Sequence, residues 1–171
     1  MSKGYYLDKL VELIELEVIL NQNIYKGNLA IACTTGAFDL LHPGHIGYIW
    51  RASQFCRHLV VGIDSDKRVK AAKGTHRPLF TERERAEVVA GIGCVDFVVI
   101  FDEMKEFLDI VAPQVLVVSP TSKEDKNFDR IGYAQSLGAR VEQVPPQREL
   151  HTTDYVLRII SQSAQSNKSS D

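Results

Sequence analysis

The stretch of sequence that decides the fold is TTGAFDLLHPGHIGYIW, residues 34–50. An apolar run ends at Thr34, a glycine-containing segment follows, and a helical pattern begins near Pro43. Proline suits the first turn of a helix, because the N–H that it lacks would have no partner there. The stretch therefore predicts a strand, a loop and a helix in succession. In an open α/β sheet the ligand crevice lies outside the carboxyl ends of the strands, so this loop is where a ligand is expected.

Outward from this stretch, short apolar runs alternate with helical patterns as far as about residue 160. The runs are mostly continuous and β-branched, which is typical of strands buried on both faces. Their alternation with helices predicts an α/β fold with a doubly wound parallel sheet and right-handed crossovers. The predicted strands are Leu29–Thr34, His58–Ile63, Phe97–Ile100, Val115–Val118 and Arg140–Val144. The predicted helices are Gly44–Cys56, Glu82–Ile92, Met104–Val111, Asp129–Leu137 and Asp154–Ile160.

The two ends of the chain differ from this central domain, which we assign to residues 28–162. Apolar residues at helical spacing over Leu7–Leu20 predict a helix, and hence an N-terminal helical arm over residues 1–27. The arm either packs on the main domain, which we favour, or forms a homodimer contact. Residues 163–171 are polar, Ser-rich and without periodicity, so they are predicted to be a disordered tail.

Composition excludes several classes of protein. The chain has 171 residues, 44% hydrophobic and 25% charged, as in an ordinary globular protein. A formal charge of −2 argues against nucleic acid as a partner. The apolar runs fall short of the roughly 20 residues that a membrane span needs. Cys33, Cys56 and Cys94 form no CxxC pair, which argues against a disulfide framework or structural zinc. These features predict a cytoplasmic protein without a membrane partner.

His42 and His45 are the most informative polar residues of the loop. Two imidazoles at a helix N-terminus can donate hydrogen bonds to charge that develops on a phosphoryl group. Gly44 between them lets a phosphate approach the backbone closely. The alternatives are that both histidines cap or pack the helix, or that they bind a metal, for which no third ligand lies nearby in the sequence. We favour phosphate chemistry.

The run Gly36-x-Phe38-Asp39-x-x-His42-x-Gly44-His45 resembles the HxGH signature of the cytidylyltransferase-like nucleotidyltransferase superfamily. Within it, the chain is most similar to bacterial heptose-1-phosphate adenylyltransferases, and less so to glycerol-3-phosphate cytidylyltransferases. Further matching positions extend over most of the predicted domain. They are Asp64-Ser65-Asp66, Lys73-Gly74, Arg77-Pro78, Glu82, Arg85, Val95-Asp96, Phe101-Asp102-Glu103 and Thr152-Thr153.

The resemblance implies a Rossmann-like domain that transfers a nucleoside monophosphate to a phosphorylated small molecule and releases pyrophosphate. AMP from ATP and a sugar 1-phosphate acceptor are favoured. Mg²⁺ is expected with the triphosphate and without dedicated protein ligands. The implied catalytic residues are His42, His45 and Lys73. The implied nucleotide-binding residues are Thr35, Gly36, Ala37, Phe38, Gly44, Arg85, Ser119, Thr152 and Thr153.

Several of these assignments have structural alternatives. Lys73 is otherwise a solvated charge on a loop, and Arg85 is otherwise part of a salt bridge on a helix surface. Thr152 and Thr153 can cap the last helix. Asp39 is expected to order the loop rather than to touch substrate.

The chain departs from the heptose-1-phosphate enzymes in two places. Ser119–Lys123 lacks the glycines of their Lys-Gly-Gly-Asp-like stretch, and Glu149–His151 replaces their Gly-x-Ser. These departures leave two alternatives open. One is a cytidylyltransferase that uses CTP and a polyol phosphate such as glycerol 3-phosphate, and the other is a non-catalytic nucleotide-binding regulator.

Overall fold

The computed structural model describes residues 5–22, 31–120, 128–145 and 155–162. Its centre is a sheet of five parallel strands in the order β3-β2-β1-β4-β5. The strands are β1 (Ile31–Gly36), β2 (His58–Asp64), β3 (Phe97–Phe101), β4 (Val115–Val118) and β5 (Arg140–Gln143). The predicted doubly wound α/β fold is therefore confirmed, and each described strand lies within two residues of its predicted bounds.

Helices cover both faces of this sheet. They are α1 (Leu13–Asn21), α2 (Pro43–Ser53), α3 (Asp66–Lys73), α4 (Glu82–Ala90), α5 (Met104–Val111), α6 (Arg130–Ser136) and α7 (155–162). Buried apolar residues form two clusters, one on each face of the sheet. Ile49, Leu59 and Val89 belong to the cluster beneath α2 and α4, whereas Leu16, Phe107 and Leu116 belong to the cluster beneath α1 and α5. Burial on both sides explains why the strands are continuous apolar runs.

The helix α3 is not predicted from the sequence, which is interpreted as a loop over residues 69–78. Its sequence, DKRVKAAK, is mostly charged and contains one buried residue, Val69, so no apolar periodicity marks it. The local signal that does exist is Ser65, whose hydroxyl accepts a hydrogen bond from the Arg68 N–H as an N-cap. Lys73 is therefore the last residue of a helix rather than part of a flexible loop.

The expected continuous helix over Leu7–Leu20 is wrong. A 3₁₀ turn, Tyr6–Lys9, precedes an extended break, and α1 begins only at Leu13. At the break Leu10 pairs with Val98 of β3, and the Val11 N–H donates to the Val98 carbonyl. This pairing with a strand distant in sequence interrupts a helix that the local pattern favours.

The N-terminal segment packs on the domain. Leu16 is fully buried in the α1–α5 side of the core, and the Lys9 ammonium donates a hydrogen bond to the Ile92 carbonyl. Ile14 and Val18 on the outer side of α1 are exposed. No helix in the described part of the chain has the length and apolar character needed to cross a membrane.

The strand order reverses between β1 and β4. From β1 the chain winds outward to β2 and β3, and it then returns past β1 to β4 and β5. In doubly wound sheets the ligand crevice opens at the carboxyl ends of the two strands that flank this reversal. The loop that follows β1 and the residues that follow β4 border that crevice.

Candidate active site

The loop between β1 and α2 is shaped by Gly36, the last residue of β1, and by Phe38, two residues later. Phe38 has a φ of 45°, which is unusual for a residue with a side chain and is found at functional sites more often than elsewhere. A Cβ at Gly36 would lie 3.1 Å from the Phe38 ring, so glycine allows the ring to fold back on the strand end. Thr35, Gly36, Ala37 and Phe38 thus line the turn into the loop, and their contact with a nucleotide stays a prediction.

The two histidines of the loop lie against each other at the start of α2. Their ring centroids are 3.8 Å apart and the rings are stacked at 23°. His42 occupies the N-cap position, and its carbonyl accepts hydrogen bonds from the His45 and Ile46 N–H groups. Gly44, between the histidines, is buried. The HxGH spacing therefore brings the two rings together on the first turn of the helix.

The environment of His45 determines its charge. Its pKa is lowered to about 4, mainly because burial disfavours the protonated ring, and also because His42 and Lys73 bring positive charge close to it. The Leu40 carbonyl and the Asp39 carboxylate oppose this shift without reversing it. His45 is consequently neutral at pH 7 and carries one ring N–H donor.

Lys73 lies at the end of α3, in the connection between β2 and β3, close enough to His45 to affect its pKa. Its side chain is exposed, yet the protein around it is dense enough that partial desolvation lowers the pKa of the ammonium group. Asp39 and Asp64 oppose this shift. Gly74, with a φ of 94°, ends the helix directly after Lys73. The structure therefore brings the three predicted catalytic residues into one electrostatically coupled group.

Asp39 anchors the segment that follows Lys73. One oxygen of its buried carboxylate accepts hydrogen bonds from the Leu79 and Phe80 N–H groups, at 2.7 and 3.1 Å. The other accepts from the Arg77 guanidinium at 2.8 Å. This agrees with the expectation that Asp39 orders the loop. It also shows how residues 77–80 are held against the HxGH loop.

Arg85 of α4 lies behind the loop instead of on the helix surface. Its side chain is fully buried and makes four hydrogen bonds. The acceptors are the carbonyls of Phe80, Ala37 and Asp64 and the carboxylate of Asp66. The surface salt bridge that we considered as an alternative is therefore wrong. Arg85 joins the ends of β1 and β2 to α3, and its contact with a phosphate stays a prediction.

Of the remaining predicted binding residues, the structure describes Ser119. Ser119 is half-buried directly after β4. Thr152, Thr153 and the departures at residues 121–123 and 149–151 lie outside the described residues. Ser65 and Asp102, which belong to the matching segments, bond to each other at 2.5 Å and join the ends of β2 and β3.

Two residues that the sequence did not indicate border the site. Tyr155 of α7 stacks on His42 with a centroid distance of 5.6 Å. Arg130, at the start of α6, is buried and donates a hydrogen bond to the Thr35 hydroxyl at 3.4 Å. Neither belongs to a motif, and both reach the site only because elements distant in sequence fold over it.

An apolar groove of about 590 Å³ adjoins the His42 side of the site. It runs along α2 and is lined by Leu41, His42, Pro43, Ile46, Gly47 and Trp50. Within the described ranges, no group of three or more histidine, cysteine or acidic residues is arranged to hold a metal ion.

The fold is that of a Rossmann-like nucleotidyltransferase domain. The profile of the Cytidylyltransferase-like family matches residues 33–169, so the chain belongs to this family. The Bifunctional protein HldE of Geotalea uraniireducens strain Rf4 is 38% identical over 153 residues, which cover 88% of this chain and 31% of that protein. The HldE protein of Campylobacter concisus strain 13826 is 45% identical over 111 residues, 64% of this chain and 23% of that protein. The chain thus spans less than a third of the length of these curated relatives.

Solved structures share the same architecture. A lipopolysaccharide core biosynthesis protein from Thermoplasma volcanium GSS1 superposes with a TM-score of 0.61 at 24% identity, over 72% of this chain and all of that chain. A pantoate-beta-alanine ligase from Francisella tularensis, complexed with beta-gamma ATP and beta-alanine, gives a TM-score of 0.54 at 14% identity, over 82% of this chain and 67% of that chain. At these identities the likeness shows the fold alone.

Proposed function

We propose that the chain transfers AMP from ATP to a phosphorylated small molecule such as a sugar 1-phosphate and releases pyrophosphate. The observation that carries this proposal is the stacked His42–His45 pair beside Lys73, at the crevice of a Cytidylyltransferase-like domain. In this reaction an oxygen of the acceptor phosphate attacks the α-phosphorus of ATP. The bond from the α-phosphorus to the bridging oxygen then breaks, and pyrophosphate leaves.

The residues of the site suit a reaction that needs no protein nucleophile. Phosphoryl transfer requires two anions to be positioned and the charge that spreads in the transition state to be neutralised. A neutral His45 donates a hydrogen bond without a penalty for burying a second charge. Lys73 supplies a positive charge beside the histidines. The Asp39–Arg77 pair holds the segment after Lys73 in place for both.

Mg²⁺ enters in this proposal as part of the ATP substrate. The described carboxylates around the histidines are already bonded within the protein, Asp39 to Arg77 and to main-chain N–H groups, and Asp64 to Arg68. Mg²⁺ readily keeps its water ligands and binds through substrate phosphates. We therefore expect the triphosphate rather than the protein to carry the ion.

The choice of ATP rests on the similarity of Lys73–Glu103 to adenylyl-transferring enzymes, and it is consistent with HldE proteins being relatives. The alternatives are CTP with glycerol 3-phosphate and a regulator that binds nucleotide without turnover. A pyrophosphate-release screen separates them. It crosses four nucleoside triphosphates, each with Mg²⁺, against sugar 1-phosphates and polyol phosphates.

We expect release with ATP and a sugar 1-phosphate. His45→Ala should slow it about 100-fold or more, because one preorganised donor to the transition state is removed. The matched control is His58→Ala, which should retain the wild-type rate. His58 is the first residue of β2, so it lies at the amino ends of the strands, whereas the HxGH loop follows the carboxyl end of β1. Faster release with CTP and glycerol 3-phosphate would support the cytidylyltransferase instead. Nucleotide binding without release for any pair would support the regulator, and an equal rate for folded His45→Ala would refute the site.

A further inference from the structure

Arg130 is a buried cation that the proposed chemistry has not used. The residue is 9% exposed, and its guanidinium makes a single hydrogen bond to the described residues, from Nη1 to the Thr35 hydroxyl at 3.4 Å. Its Nε is buried and has no hydrogen-bond partner there. No carboxylate of the described residues forms an ion pair with it. A buried guanidinium is normally paired, because leaving it unpaired is costly.

The position of the guanidinium is a second observation that points to a ligand. Thr35 is the last residue but one of β1, directly before Gly36 and the HxGH loop. Burial raises the pKa of the Cys33 thiol, and raises that of the Tyr48 hydroxyl to about 12, while the charge of Arg130 opposes both shifts. Arg130 thus projects its charge onto the end of β1, where the strand order reverses towards β4. This reversal is where doubly wound sheets bind ligands.

Guanidinium is well matched to one class of ligand. Its planar set of N–H donors binds phosphate and carboxylate through two parallel hydrogen bonds, which a lone hydroxyl such as that of Thr35 does not satisfy. A site that handles phosphorylated substrates offers that anion. We propose that Arg130 is an anion-binding residue that holds a phosphate group of a substrate in the crevice between β1 and β4. The identity of the anion rests on the proposed function. The observation of a buried guanidinium without an ion-pair partner among the described residues does not.

The test measures binding of phosphate probes to the full chain by isothermal titration calorimetry, without turnover. The probes are tripolyphosphate, MgATP and glucose 1-phosphate. Arg130→Met should weaken at least one of them roughly 10- to 150-fold, the range of a charge-assisted hydrogen bond. Arg130→Lys should lose less, because it keeps the charge. The matched control is Arg140→Met, an exposed arginine on β5, which should bind all three as the wild type does.

The pattern among the probes identifies the source of the phosphate. Weaker tripolyphosphate and MgATP binding assigns it to the nucleotide, and weaker glucose 1-phosphate binding alone assigns it to the acceptor. Unchanged affinity for all three probes overturns the proposal, as does failure of the wild-type chain to bind any of them. If Arg130 is needed for tripolyphosphate binding but no nucleotide pair releases pyrophosphate, the proposed function fails and the anion site stands.

Thermal unfolding without ligand gives an independent readout. An unpaired buried cation contributes nothing favourable to the folded state, so Arg130→Met should melt at the same temperature as the wild type or higher. The upward shift of the melting temperature that the bound probe gives the wild type should be lost in this variant. A variant that melts several degrees lower would mean that the cation is paired within the chain, which would overturn the proposal.

Discussion

At the scale of single residues, the charge of His45 follows from its surroundings and not from its type. A histidine in water titrates near pH 6.5, whereas burial, together with the electrostatic effects of His42 and Lys73, lowers the pKa of His45 to about 4. The ring therefore binds a proton only in acid, well below physiological pH. A polyphosphate close to the ring favours the protonated form and opposes the shift.

We expect a ¹H–¹⁵N NMR titration of the histidine rings to give His45 a pKa far below 6.5 in the free protein. His42→Ala should raise the pKa, because a neighbour that disfavours the protonated ring is removed, but burial should keep it below 6.5. Adding tripolyphosphate to the wild type should also raise it, since the anion stabilises the charged ring. A pKa of 6.5 in the free wild-type protein would show that the ring is solvated and not buried.

Lys73 and Lys70 provide a matched pair on one helix. Lys73→Ala should weaken MgATP binding by about 1–3 kcal/mol, the value of a charge-assisted hydrogen bond. Lys70→Ala, about one turn earlier on α3 and exposed, should leave the affinity unchanged. Calorimetric titration of both variants measures the difference. Equal affinities for Lys73→Ala and the wild type would mean that Lys73 is a solvated surface charge that does not bind the triphosphate.

Sequence patterns located these residues but not their environments. The spacing of His42 and His45 follows from local chain geometry, so a motif can identify the pair. The burial of Arg85 could not be predicted, because its acceptors come from Ala37, Asp64 and Asp66 as well as from nearby Phe80. Arg83 and Arg85 look alike in the sequence of α4, and only packing separates the exposed one from the buried one.

At the scale of elements, α4 positions the loop after β1. Its N-terminus is fixed by a capping box between Thr81 and Glu84, a signal that the sequence carries. Arg85, one residue further, reaches the ends of β1 and β2 and the first turn of α3. Asp39 reaches back from the loop to residues 77–80. The HxGH loop is thus held by hydrogen bonds to the connection between β2 and β3.

Arg85→Lys should lower the free energy of unfolding by about 2–4 kcal/mol, since a lysine cannot serve the four acceptors from one planar group and leaves buried carbonyls unsatisfied. Arg83→Lys is the control on the same helix. Its partner is the exposed Glu87, so its effect should stay within about 0.5 kcal/mol. Urea denaturation measures both. Equal stability of the two variants would contradict the positioning role of Arg85.

At the scale of the whole molecule, the N-terminal segment contributes to the core of the domain. Leu16→Ala should cost about 2–5 kcal/mol of unfolding free energy, because a fully buried leucine leaves a cavity. Ile14→Ala, two residues earlier and 64% exposed, should change it by no more than about 0.5 kcal/mol. Thermal or urea unfolding of the two variants provides the measurement. A small effect at Leu16 would mean that α1 is an appendage and not part of the fold.

Apart from α3 and the break before α1, the sequence by itself determined the alternation of strands and helices, because continuous apolar runs and helical spacing are local properties of the chain. It also determined the geometry of the HxGH loop, since proline, glycine and the two histidines lie within one turn at the start of α2. Only the tertiary structure decided the rest. The break at Leu10, the buried Arg85, the stacking of Tyr155 on His42 and the burial of Arg130 beside Thr35 all depend on residues distant in sequence. Burial sets the cost of an unpaired charge and the pKa of a ring, and burial exists only once these elements have packed together.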